Sequence, residues 1–136
     1  MADPFENVDA ASAQMIEIIA TGLETRAEDP SMLPVIDAYL EMLSVRDGGL
    51  IVDIGSGTGG VTRRIADRFP AAAVVGLEPS DALTTKAKDL AGDRPNLSFN
   101  VGDGAALDLE KGCADVAILH TVLSHVKEPA SLIAEA

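Results

Sequence analysis

The residues most able to do chemistry sit together in Val52-Asp53-Ile54-Gly55-Ser56-Gly57-Thr58-Gly59-Gly60, a glycine-rich run that follows five residues of strand-like sequence. Gly55, Gly57 and Gly60 satisfy G-x-G-x-x-G, and Glu78 lies 18 residues after Gly60, near the spacing at which an acidic side chain grips a ribose. A strand entering a glycine turn that opens a helix is the context in which such a run binds a nucleotide. A nicotinamide dinucleotide is therefore one reading.

Asp53 argues for another ligand. It stands two residues before the first glycine, where a pyrophosphate would meet a carboxylate instead of bare backbone N–H groups. A cation suits that place better. The glycines also recur at Gly55, Gly57 and Gly59, which lets the backbone pass flat against a ligand without forming a wide phosphate cradle. A nucleoside with a ribose and a positive centre but no phosphate satisfies both features, and S-adenosylmethionine is such a molecule.

These residues need a frame. The first third of the chain reads as helical: Met15, Ile16, Ile19 and Leu23 share one face of a helix over residues 11–23, which Gly22 weakens and the polar stretch 24–30 ends. A second helix is predicted over residues 31–45, with Ser31 as N-cap and Pro34 in the first turn. Its apolar residues surround most of the circumference, so it is covered on two sides and is placed to roof a pocket. After Asp47-Gly48-Gly49 the pattern changes. Strands are predicted at 50–54, 73–77, 97–101 and 115–119. Between them lie a helix carrying Val61, Ile65 and Phe69 and stopped by Pro70, and a helix capped by Ser80 and carrying Leu83, Ala87 and Leu90. Pro129 starts a last helix. Alternating strands and helices mean a parallel sheet with right-handed crossovers, so the fold class is α/β.

With that frame, the segment from Asp53 to Gly59 resembles the first motif of class I S-adenosylmethionine-dependent methyltransferases, in particular the subgroup acting on small molecules. Three later stretches resemble further family motifs in order: Gly76-Leu77-Glu78-Pro79-Ser80, Gly102-Asp103-Gly104-Ala105, and the run from Asp115 to Pro129. The resemblance implies a Rossmann-like doubly wound sheet in the order 3-2-1-4, with residues 1–47 as a helical cap and 48–136 as a partial cofactor domain. It implies that Gly55, Ser56, Gly57, Thr58 and Gly59 pass along S-adenosylmethionine, Glu78 takes the ribose hydroxyls, and Asp103 with Gly104 meets the adenine, flanked by Pro79 and Ala105. Asp53, Arg26 and His120 complete the cofactor set, S-adenosylhomocysteine is the product, and no metal is implied. His120 and His125 are the candidate acid/base residues, because histidine titrates near neutral pH. Strands five to seven of the family have no counterpart here. The expectation is that the chain is a fragment of a longer polypeptide, or that another copy shields the edge of its fourth strand. A nicotinamide-dependent oxidoreductase and a cofactor-binding or dimerising chain without turnover remain the alternatives.

Composition narrows the partners. Ten basic residues against 22 acidic ones give a formal charge of −12, which repels nucleic-acid backbones and anionic lipid. One Tyr, three Phe and no Trp leave few platforms for base stacking. Cys113 is the single cysteine, so no internal disulfide forms and a cytoplasmic setting is expected. No run approaches the ~20 apolar residues of a membrane helix. The partner expected is a small-molecule acceptor.

Overall fold

The computed structural model describes residues 3–136. Four parallel strands, β1 (Leu50–Ile54), β2 (Ala73–Glu78), β3 (Leu97–Val101) and β4 (Val116–Ile118), lie in the order β3-β2-β1-β4. This is the order that the motifs imply. The helices are α1 (Ala13–Ala27), α2 (Leu33–Glu41), α3 (Gly60–Arg68), α4 (Asp81–Leu90) and α5 (Pro129–Glu135).

Period-two alternation in β1 divides its residues between two cores. Ile51 faces a cluster with Ile36 and Leu40 of α2, Ile65 of α3, Val74 and Ile118. Val52 and Ile54 face Leu77 of β2 and Leu132 of α5 on the other side. Both faces of the sheet are thus covered, as a parallel sheet requires. A third cluster joins Val8, Ile19 and Ala20 to Leu83 of α4, so the segment before α1 is packed onto the sheet's carboxyl edge.

The structure corrects three boundaries. Helix α1 does not stop before Glu24 but runs to Ala27, because Glu24 pairs with Arg63 of α3 and the Thr25 hydroxyl donates back to the Thr21 carbonyl. Polar residues stay helical there since a tertiary partner holds them. Ser31 is not an N-cap: Asp29 Oδ1 accepts from both its N–H (2.7 Å) and its hydroxyl (2.6 Å), and α2 begins two residues later. Residues 43–46 leave the helix to lead into β1, where Asp115 accepts from Arg46 Nε (3.2 Å) and from the Leu50 N–H (3.2 Å). Strand β4 spans three residues and pairs with β1 alone, leaving its other edge without a strand among the described residues.

The return from α3 into β2 depends on one side chain. Asn96 Nδ2 donates to the carbonyls of Ala66 (3.1 Å), Phe69 (3.2 Å) and Ala72 (3.1 Å), tying the end of α3 to the start of β3. Asn96→Ala strands these acceptors and is expected to cost about 1–3 kcal/mol in urea unfolding, with the secondary structure retained.

Candidate functional site

Parallel register brings the carboxyl ends of the strands level. Asp53 lies beside Gly76 on one side and Ile118 on the other, Ile54 beside Leu77, and Glu78 beside Val101. Ligands of open α/β sheets bind at this edge. Beyond β1, Gly55 (φ +76°), Gly57 (+55°) and Gly59 (+80°) all take the left-handed conformation, so alternate residues of the turn must lack a Cβ. Space demands the same at two of them. A Cβ on Gly55 would overlap Val122, and one on Gly59 would overlap the Phe99 ring. The turn is locked to β2 by the Gly55 and Ser56 N–H groups, both donating to the Leu77 carbonyl at 2.8 and 3.0 Å.

Asp53 is 2% exposed, and among the described residues its carboxyl accepts one hydrogen bond, from the Thr62 hydroxyl to Oδ2 at 2.6 Å. Oδ1 is buried without a partner among those residues, as is Ser56 Oγ. Burial pushes the Asp53 pKa up to about 7; the Thr62 bond opposes this and the charge of Glu78 adds to it. An unpartnered buried carboxyl oxygen beside a cavity is a place for a donor. That cavity, about 60 Å3 and open to solvent, is lined by the turn with Arg26, Asp53, Thr58, His120 and Thr121.

Glu78, also buried, spans the turn: the Gly57 N–H donates to Oε2 (2.9 Å) and the Ser80 N–H to Oε1 (3.1 Å). Burial raises its pKa, the two backbone donors lower it, and the charge of Asp9 raises it. Each oxygen retains a second lone pair. Glu78 and Pro79 line a different cavity from that of Asp53.

The remaining predicted residues divide. Arg26 and Thr58 line the Asp53 cavity, and the Thr58 carbonyl accepts from Arg63 Nη1 (3.0 Å). His120 lines it too; burial, with Arg26 second, lowers its pKa, so it is neutral at pH 7. Its Nδ1 is 3.3 Å from the Tyr39 hydroxyl, whose own pKa burial and the Asp53 charge push up to about 12. Thr121 beside it is the one non-glycine residue with positive φ (58°) among the described residues, a strained β-branched position at the cavity rim. His125 does not line this cavity but binds Asp3 and packs on Phe5. Asp103 is exposed, accepting from the Ala105 N–H at 2.8 Å, while Gly104 packs so closely on Ile54 and Leu132 that a Cβ would collide.

A family model described as a methyltransferase domain matches residues 52–136, which include the glycine turn, Glu78 and His120. The chain belongs to this methyltransferase domain family. It is 32% identical over 111 residues to the trans-aconitate 2-methyltransferase of Methylobacterium radiotolerans, an alignment covering 82% of this chain and 41% of that one. Two solved structures share its fold. One is a putative methyltransferase in complex with the Trm112 activator of Haloferax volcanii (TM-score 0.74, 23% identity, 93% of this chain and 55% of that one). The other is the plantazolicin methyltransferase BpumL, solved with S-adenosylhomocysteine (TM-score 0.71, 18% identity, 96% and 49%). The chain matches 18–41% of the length of such curated relatives.

Thr62 within the matched domain, and Tyr39 and Asp9 before it, touch site residues yet escape the sequence reading. Thr62 had a signal, standing in the first turn of the helix that the glycines open. Tyr39 and Asp9 had none, being far in sequence from the residues they contact. Because the folded pKa of Asp53 lies above its unfolded value, folding favours the protonated acid. Its contribution to stability therefore falls as pH rises from about 4 to about 7 and is level above that. Asp53→Asn removes the penalty. The ligand-free variant is expected to exceed the parent in urea stability at pH 8 by up to about 4 kcal/mol, and to match it near pH 4.

Proposed function

We propose that this chain is the S-adenosylmethionine-binding part of a class I methyltransferase that transfers a methyl group to a small-molecule acceptor. The observation carrying this reading is the orphaned Oδ1 of Asp53, buried at the end of β1 beside the glycine turn. A pyrophosphate would be repelled there, whereas the ammonium group of S-adenosylmethionine supplies donors and positive charge. Residues 1–47 serve in this reading as the helical cap and residues 48–136 as the cofactor domain.

The donor set fits the cofactor along its length. Asp53 and Ser56 Oγ, both short of a partner, face the amino-acid end, with Arg26 and Thr58 on the same cavity for its carboxylate. Gly55, Gly57 and Gly59 keep the path flat. Glu78 offers its free lone pairs to the ribose hydroxyls. Pro79, Asp103, Gly104 and Ala105, at the ends of β2 and β3, flank the adenine. When bound, S-adenosylmethionine supplies a methyl group already activated by its sulfonium and becomes S-adenosylhomocysteine. The chain's own task is then to hold the acceptor in line and keep water away. His120, neutral and on the cavity wall, is the residue placed to take a proton from the acceptor. His125 lies outside that wall and is not the base in this reading.

The bare edge of β4 calls for cover, from the rest of a longer chain or from a second copy. With one half-buried cysteine, a reducing cytoplasm is the setting we propose. No helix among the described residues is long and apolar enough to cross a membrane, and none of their acidic, histidine or cysteine side chains group as a metal site.

Calorimetric titration tests the reading. S-adenosylhomocysteine is expected to bind and NAD to give no heat; the reverse result selects the oxidoreductase. Binding without methyl transfer to a panel of small acids, alcohols and amines selects a cofactor-binding chain lacking turnover. Glu78→Ala is expected to weaken S-adenosylhomocysteine by about 1–3 kcal/mol through lost charge-assisted hydrogen bonds, and an unchanged affinity removes Glu78 from the site.

A further inference from the structure

The segment before α1 lies across the crevice just described. Residues 5–9 form one wall of a cavity of about 70 Å3 whose other wall is Glu78, Pro79 and Ser80. The Asp53 cavity, about 60 Å3, contains none of these residues. Each alone is far below the ~300–1,000 Å3 of ordinary ligand sites. An adenosyl ligand reaching from Asp53 to Glu78 needs both spaces joined, and Glu78, 8% exposed, is closed off from its side.

The segment is fixed unequally at its two ends. At one end Val8 is 4% exposed, packed with Ile19, Ala20 and Leu83. Beside it Asp9 accepts from the Ser80 hydroxyl and from the N–H groups of Asp81 (2.8 Å) and Ala82 (3.2 Å), occupying the first turn of α4. This end is an anchor. At the other end Asp3 Oδ2 is 2.8 Å from His125 Nδ1, Glu6 pairs with the exposed Lys127, and the Phe5 ring, 4.7 Å from the His125 ring, also packs at the edge of the Val8 cluster. Such pairs contribute little each and are screened by salt. Asn7, with φ −152° and ψ 75°, joins the two parts.

We propose that residues 3–7 are a self-occluding strap. They fill the space the nucleoside end of an adenosyl ligand would take, latched by the Asp3–His125 and Glu6–Lys127 pairs until the ligand displaces them. The inference rests on the adenosyl reading above and adds to it a barrier to ligand entry. His125 and Lys127 act as the catch that holds the strap.

Two measurements test it on the full chain with S-adenosylhomocysteine as probe. In the free protein, nuclear Overhauser contacts link the Phe5 and His125 rings; at saturating S-adenosylhomocysteine they are expected to vanish. In the double variant Asp3→Asn, Glu6→Gln, association of S-adenosylhomocysteine is expected to be about three- to tenfold faster, as the loss of one exposed ion pair and one carboxylate–histidine contact allows. The urea midpoint is expected to be unchanged, because Val8 and Asp9 keep the anchor. The single variants Asp3→Asn and Glu6→Gln, read the same way, are expected to give intermediate rates. Ring contacts that persist in the saturated complex overturn the proposal, since the strap then roofs the ligand. Association unchanged or slowed in the double variant overturns the latch. Absence of any S-adenosylhomocysteine signal in either protein overturns the adenosyl reading and the strap's role with it, and differs visibly from both other failures.

Discussion

A carboxyl group buried at the end of an interior strand with no positive charge beside it is the constraint from which the site follows. Asp53 has β2 on one side and β4 on the other, and a helix beneath it supplies one hydroxyl. Burial of an ionised carboxylate is costly unless something compensates it. The turn above is made of glycines in conformations that other residues resist, so the carboxyl is closed in by bare backbone. The free chain therefore bears an electrostatic deficit that a cationic ligand fills. Glu78 repeats the arrangement more mildly, with two backbone donors easing its burial.

How far this was legible in the sequence depends on distance along the chain. The glycine turn, Asp53 and Glu78 announced themselves through local spacing, and the order of the sheet followed from motifs arriving in sequence. Boundaries were less legible where a tertiary partner overrode local preference, as Arg63 does in keeping Glu24 helical and Asp29 does in taking Ser31 out of the cap. Contacts between distant polar residues carried no pattern at all. Tyr39 and His120 are 81 positions apart, and Asp3 and His125 are 122 apart. The two histidines looked alike in the sequence, and only packing separates a cavity wall from an outer surface.

Acidic residues outnumber basic ones more than two to one, yet the cations are spent at particular joints. Arg63 and Arg64 fasten α3 to α1 and α2, Arg94 ties the loop before β3 to α3, and Arg46 holds the approach to β1. Arg26 makes no ion pair among the described residues and lines the cavity. In a chain so negative, Arg26 and Asp53 put opposite charges on one cavity. In the reading proposed above, these match the carboxylate and the ammonium group of the cofactor's amino-acid end.

The position of β4 beside β1 also bears on how the chain is assembled. Ile51 pairs with Val116, across an intervening stretch that contains both β2 and β3. Closing so long a loop is slow compared with the neighbouring β1–β2 and β2–β3 crossovers. The glycine turn and Glu78 belong wholly to the early part, whereas His120 follows the late strand. A ribosome-bound or freshly refolding chain should thus form the glycine turn and the seat of Glu78 before it acquires the wall carrying the histidine.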